Sequence, residues 1–181
     1  MRVLIDACVL YPTLLRELVL GWAALGGFTP LWSERILEEW RRAAARTGPR
    51  DAEIAGLEIE AATARFPEAC VETLPTTLER VHLPDPDDIH VLAAAIDGQA
   101  DELLTLNIKD FPTNALAAHG LIRRHPDEFL REALFAEPDK VQELVRDRLE
   151  AAARYGIDTS NRRALLKRAK LPRFAKALDQ L

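Results

Sequence analysis

Apolar and polar positions change period several times along the chain, and each change marks an element. RVLID, residues 2–6, is a short run rich in branched side chains that closes on an aspartate, the pattern of a buried strand. In YPTLLRELVLGWAALGG, residues 11–27, apolar positions recur at helical spacing and a Gly-Gly pair ends them. FTPLWS, residues 28–33, reads as a second extended segment, with Ser33 as N-cap for a helix of strong formers, ERILEEWRRAAAR. GPR interrupts, and DAEIAGLEIEAATARF, residues 51–66, resumes the helical period. CVETLP and RVHLP are weaker extended candidates.

DPDDIHVLAAAIDGQA, residues 85–100, predicts a helix with Asp85 as N-cap, Pro86 in the first helical position and Gly98 as the stop. DELLTL then reads as a strand, and NIKDFP as a proline-punctuated turn. Strand and helix thus alternate to about residue 120, the pattern of a parallel sheet flanked by helices in an α/β fold. Beyond it, HPDEFLREALF, DKVQELVRDRLEAAARY, SNRRALLKRAK and PRFAKALDQL are all helical in period. A boundary near residue 125 therefore predicts a domain over 1–124 and a helical C-terminal extension over 125–181.

The charge distribution sharpens this division. Residues 1–118 hold 10 Lys+Arg against 19 Asp+Glu, whereas residues 119–181 hold 14 against 10. Residues 154–176 alone carry eight basic side chains and a single acid, Asp158. An acidic body with a basic tail fits a polyanionic partner held through Arg162, Arg163, Lys167, Arg168 and Lys170; a solvated face docked on the acidic body fits equally. No apolar run nears the ~20 residues that span a bilayer, and Met1-Arg2 leads straight into a strand with no signal-peptide pattern. Two cysteines, Cys8 and Cys70, suit a reduced compartment, so a cytoplasmic location without membrane association is expected.

The acids carry the chemistry. In an open parallel sheet, active groups collect at the carboxyl ends of strands and the helix starts that follow. Asp6 ends the first strand, Asp85, Asp87 and Asp88 open the helix after RVHLP, and Asp110 follows the strand ELLTL. Glu39 lies about two turns into the helix after FTPLW. Each alone is a turn former, a cap or a solvated face. Convergence would change that, because two carboxylates ~4 Å apart repel by roughly 4 kcal/mol at an effective dielectric near 20. A compensating ion held by oxygens alone, with no Cys or His cluster, is hard: Mg²⁺ or Mn²⁺. Such ions, singly or as a pair, support in-line displacement at phosphorus. His82, His90, His119 and His125 have no metal-ligand spacing with the cysteines, and neither a serine elbow nor a Gly-rich phosphate loop occurs.

VLIDACVL, SERILEEW, DPDDIHVLAAAI and LLTLNIKDFP together resemble the PIN-domain ribonucleases, the fold of VapC-type toxins, over about residues 2–115. The strand followed by Thr-x-Asn-x-x-Asp-Phe is the most specific piece. The resemblance implies Asp6, Glu39, Asp88 and Asp110 as the acidic quartet holding Mg²⁺ or Mn²⁺, with Thr105 and Asn107 as supporting polar groups and Asp85 as a substitute for Asp88. Glu39 is favoured over Glu38 because the family acid precedes an apolar or aromatic residue, here Trp40. It further implies an endoribonuclease in which a metal-activated water attacks the RNA phosphodiester. The expected partner is a cognate antitoxin in a type II toxin–antitoxin pair. The resemblance also leaves a homodimer open, for which the Trp-bearing VLGWAAL and ILEEW could supply a surface; burial of those tryptophans in the core explains them equally well. One position departs: Cys8 stands where the family carries Asn or Ser. The same cysteine argues against an aspartyl-nucleophile phosphatase, which needs a second Asp there. A non-catalytic nucleic-acid-binding module working through the basic tail is the competing reading.

Overall fold

The computed structural model describes residues 1–181. In chain order it runs β1 (Arg2–Ile5), α1 (Ala7–Leu10), α2 (Thr13–Ala24), β2 (Thr29–Ser33), α3 (Glu34–Ala45), α4 (Pro49–Arg65), β3 (Cys70–Val71) and α5 (Pro75–Arg80). A single 3₁₀ turn (Pro86–Asp88) leads into α6 (Ile89–Asp97), then β4 (Glu102–Leu104), α7 (Thr113–Ala117) and β5 (Ile122–Arg124). Four helices follow: α8 (Pro126–Ala136), α9 (Pro138–Arg154), α10 (Arg162–Arg168) and α11 (Pro172–Leu178). No helix is long and apolar enough to cross a membrane.

The chain divides into two compact units, Met1–Tyr11 with Thr29–Arg124, and Pro12–Phe28 with His125–Leu181. The first holds a five-stranded, wholly parallel sheet in the order β3-β2-β1-β4-β5. The chain steps outward from β1 through β2 to β3, then returns to the other side of β1 for β4 and β5. Strand order therefore reverses between β1 and β4, and their carboxyl ends flank the crevice where ligands of such sheets bind. Ile5 is in register with Leu104, so the next residues along, Asp6 and Thr105, meet at that edge. Val3, Leu4, Ile5, Leu103 and Leu104 are buried without exposed area, as expected of parallel strands covered on both faces. Helix α6 packs on β1 and β2, and its Val91–Ala95 run is wholly buried. Ser33 caps α3, accepting from the Ile36 amide at 3.3 Å, as its place in the sequence indicates.

Several details differ from the sequence expectation. RVHLP is not a strand: α5 extends to Arg80 and residues 81–84 have no regular structure. Asp85 caps the 3₁₀ turn rather than the α-helix, accepting from the Asp87 amide at 2.9 Å, so Asp88 stands at the α6 N-terminus. The fifth strand, Ile122–Arg124, is too short and too basic for its pattern to declare. Gly98 ends α6 at an ordinary φ of −74°. A side chain there would come within 2.9 Å of Val71 Cγ2 and 2.8 Å of the Ala94 carbonyl, so close approach explains the glycine. All three tryptophans are buried in core positions, which removes VLGWAAL and ILEEW as Trp-bearing pairing surfaces.

The second unit consists of α2 with α8–α11, so α2, which by position falls in the span 1–124, belongs to this unit, while Tyr11 just before it stays with the first. Gly21 lets α2 approach α9 closely, since a Cβ would sit 2.5 Å from Leu144 Cδ1. Phe28 and Phe129 meet edge to face at 5.1 Å. The buried carboxylate of Asp127, on α8, accepts from the Arg173 amide at 3.0 Å and the Phe174 amide at 2.8 Å, tying down the start of α11. Substituting Asp127→Ala leaves one buried and one part-buried amide without acceptors and is expected to cost about 2 kcal/mol. Urea unfolding followed by circular dichroism measures it, and Asp127→Asn should recover part of the loss.

Candidate metal centre

The crevice is assembled from three chain turns. The first is the end of β1. Asp6 is 6% exposed, and its amide donates to the Leu104 carbonyl at 3.0 Å, extending the ladder by one residue. Its Oδ2 accepts from Thr105 Oγ1 at 2.7 Å and from Cys8 Sγ at 3.0 Å. Thr105, wholly buried, also accepts from the Asn107 amide at 2.9 Å. The thiol thus occupies the place of the family's Asn or Ser side chain and still donates to Asp6. Burial first, then the charge of Asp6, pushes the Cys8 thiol well above its ordinary range, so it stays protonated and neutral.

The 3₁₀ turn before α6 and the loop after β4 supply the other acids. Asp85, Asp88 and Asp110 each present a carboxylate oxygen within 4.8 Å of the others. Asp88 is the member on which the charge of Asp6 acts. Its carboxyl is pushed up to about 6, by burial first and then by the charges of Asp6, Asp85 and Asp110, with a small opposing pull from His90. Asp110 rides on a loop stapled by Arg123 of β5, whose Nη1 donates to the carbonyls of Ile108 and Phe111, both at 2.7 Å.

Glu39 lines a cavity of about 590 Å³ together with Asp6, Asp88 and Asn107, but its carboxylate is engaged elsewhere. Oε1 lies 2.7 Å from Nε2 of the buried His90 and 3.7 Å from Arg35 Nε. The His90 contact is close but not aligned as a hydrogen bond, and Nδ1 has no partner. His90 carries no metal-ligand spacing in the sequence; its sole signal is a polar residue among five apolar ones at the start of α6.

Of the residues singled out in the sequence, Asp85, Asp88 and Asp110 come together as one acidic group, while Asp6, bonded to Thr105, reaches that group through its charge on Asp88. Glu39 and the exposed Asn107 share its cavity. The basic residues of α10 lie in the other compact unit. There Arg162 pairs with Asp179 at 2.7 Å and Arg163 approaches the same carboxylate at 3.7 Å. Lys167, Arg168 and Lys170 are exposed. Sequence reasoning missed Arg123, His90 and the arginines of α3 that line the cavity, Arg35 and Arg42, with Arg46 just past its end.

The donor set fits a hard divalent ion. Asp88 Oδ2 is buried and accepts no hydrogen bond, although buried polar atoms are nearly always satisfied. The surrounding ligand atoms are carboxylate oxygens, the donors that Mg²⁺ and Mn²⁺ take.

A family model described as a PIN domain matches residues 2–109, more than half of the chain. A Mycobacterium tuberculosis (strain ATCC 25618 / H37Rv) protein named "Putative ribonuclease VapC50" is 45% identical over 47 residues. That stretch is 26% of this chain and spans 28% of the length of that protein. No solved structure matches the chain.

The raised Asp88 carboxyl has a defined consequence for stability. A carboxyl lifted from an ordinary 3.8 to about 6 disfavours the folded state once ionised, so its penalty is absent below pH 4 and complete above pH 6. Asp88→Asn is therefore expected to stabilise the metal-free protein at pH 8 by about 1 kcal/mol, discounted for partial solvent exposure, and to change nothing at pH 3.5. Melting curves of the two proteins in chelator across this range test it. In the wild type, Mn²⁺ affinity measured by titration calorimetry should rise as pH passes 6, because the ion competes with the Asp88 proton.

Proposed function

The chain belongs to the PIN-domain family, and on that footing we propose that it is an endoribonuclease dependent on Mg²⁺ or Mn²⁺, the toxin half of a type II toxin–antitoxin pair acting in the cytoplasm. The observation that carries the reading is the meeting of Asp85, Asp88 and Asp110, with Asp6 acting on Asp88 through its charge at the edge where β1 and β4 part, and with Asp88 Oδ2 left unsatisfied. A capping role accounts for Asp85, whose carboxylate holds the Asp87 amide, but not for the other three.

In this reading Asp88 and Asp110 are the principal ligands and Asp85 an auxiliary one. Asp6 is held in a fixed orientation by the hydroxyl of Thr105 and the thiol of Cys8, so that its free oxygen faces the crevice. Glu39 completes the acidic set from α3, restrained by His90. Asn107, exposed at the rim, offers an amide to substrate. Bound there, Mg²⁺ or Mn²⁺ supplies positive charge for the scissile phosphate and activation of water for in-line attack. No side chain serves as nucleophile. The exposed Lys167, Arg168 and Lys170 offer RNA-backbone contacts, and the antitoxin is a further partner.

Purified protein should cut single-stranded RNA with Mg²⁺ or Mn²⁺ and stop when chelator is added. Asp6→Asn and Asp88→Asn should each lower the rate at least ~100-fold, about 3 kcal/mol of transition-state stabilisation. Full activity in both variants would end the assignment. RNA binding without cutting under any divalent ion would instead favour a binding module working through the basic helices.

A further inference from the structure

We infer that one wall of the acidic cavity is the seat of the substrate strand: Arg46 takes a phosphate beside the scissile one, and the ring of Tyr11 stacks on an unpaired base. The inference rests on the reading of the crevice as a nuclease centre, and it adds the residues that hold the RNA and the form of RNA they hold.

The wall is written into α3. Positions 35, 39, 42 and 46 are spaced four, three and four apart, one face of a helix, and all four side chains line the same cavity as Asp6 and Asp88. The acids at its floor repel a polyanion, so a strand enters only where cations on the wall offset them. Two of the three arginines already have partners. Arg35 reaches Glu39 at 3.7 Å and the Asp87 carbonyl at 3.5 Å, and Arg42 Nε meets Glu38 at 2.9 Å. Arg46, exposed at the end of α3, has no ion-pair partner, so its charge is fully available. Seven residues separate it from Glu39, roughly 10 Å along the helix axis. It therefore reaches a phosphate flanking the cleavage point rather than the reacting one.

Tyr11 supplies the second element. It lines the same cavity, 40% exposed, and its hydroxyl lies 3.0 Å from Thr47 Oγ1. That contact fixes the ring beside the residue that follows Arg46. An anchored, accessible ring next to a free guanidinium is the combination that binds single strands, since every base has a face to stack. Bases in a duplex are already paired and stacked, and that option is closed to them.

The test is fluorescence anisotropy of a labelled short single-stranded RNA in Ca²⁺ buffer, alongside cleavage in Mn²⁺. Arg46→Ala should weaken binding several-fold and make the slope of log affinity against log salt less negative by about 0.7, one phosphate contact on a single strand. Tyr11→Ala should weaken it about tenfold through loss of stacking; Tyr11→Phe, which keeps the ring but loses its anchor to Thr47, should lose less than Tyr11→Ala, and Arg46→Lys should stay near the wild type. Arg41→Ala, on α3 but off the cavity wall, is the control and should bind normally. Mn²⁺ affinity should be unchanged in both alanine variants, and an RNA duplex should bind more weakly than the single strand and be indifferent to Tyr11→Ala. Wild-type affinity and KM in both alanine variants would overturn the inference even if the protein cuts RNA. Loss of binding in those variants with no cutting by the wild type would sustain the seat and remove the nuclease reading. Arg46 is exposed, so its variant decides the matter even if Tyr11→Ala fails to fold.

Discussion

Asp88 carries its carboxylate into a place already shaped by the charges of Asp6, Asp85 and Asp110, and this crowding of like charges is the constraint on which the crevice depends. Nothing bonded directly to these four groups neutralises them. Asp6 is held by a hydroxyl and a thiol, Asp85 by a backbone amide, and the Asp110 loop by an arginine that spends its donors on carbonyls. Neutral donors orient a carboxylate without cancelling its charge. The arrangement therefore keeps its negative potential at a single edge of the sheet, where a divalent ion gains the most from it.

Topology sets which acids meet. Because β1 lies between β2 and β4, with the order reversing beside it, the residues just past β1 and β4 face a common crevice although 99 positions separate Asp6 from Thr105. Register then places them to within a hydrogen bond: Ile5 pairs with Leu104, and the following residues close the contact. The turn before α6 adds Asp85 and Asp88 from the other side. A shift of one residue in the β1–β4 register would carry Asp6 to the opposite face of the sheet and dissolve the cluster.

This logic explains what could be read from the sequence and what could not. Period and β-branched composition declared β1, β2, β4 and most helices, and acids at strand ends and helix starts marked Asp6, the trio Asp85, Asp87 and Asp88, and Asp110 as candidates, with Asp88 preferred within the trio through the resemblance. These are local signals with a local cause. Residues 80–84 misled because Val, His and Leu look extended in isolation, whereas tertiary context ends α5 there and leaves an irregular approach to the 3₁₀ turn. Strand β5 was silent, being three residues long with two arginines. Those arginines matter through side chains rather than propensity, as Arg123 clamps the loop that bears Asp110. Nor could spacing show that α2 packs with α9, since the Gly21–Leu144 approach joins residues more than a hundred positions apart. His90 shows the same limit: its burial against Glu39 follows from how α6 and α3 face the cavity, and no pattern within either helix encodes it.

Cys8 shows how a departure from family pattern is absorbed. A thiolate there would add another negative charge to a crowded crevice and a soft donor beside hard ones, favouring a different class of metal. Burial and the Asp6 charge oppose that ionisation, and the neutral thiol becomes a weak donor to the same carboxylate. It is a weaker donor than a hydroxyl or amide, so Thr105 Oγ1, at 2.7 Å, is the stronger of the two donors to Asp6 Oδ2. Thr105 itself is wholly buried. The carboxylate it holds is the one whose charge, next after burial, most strongly holds the proton on Asp88.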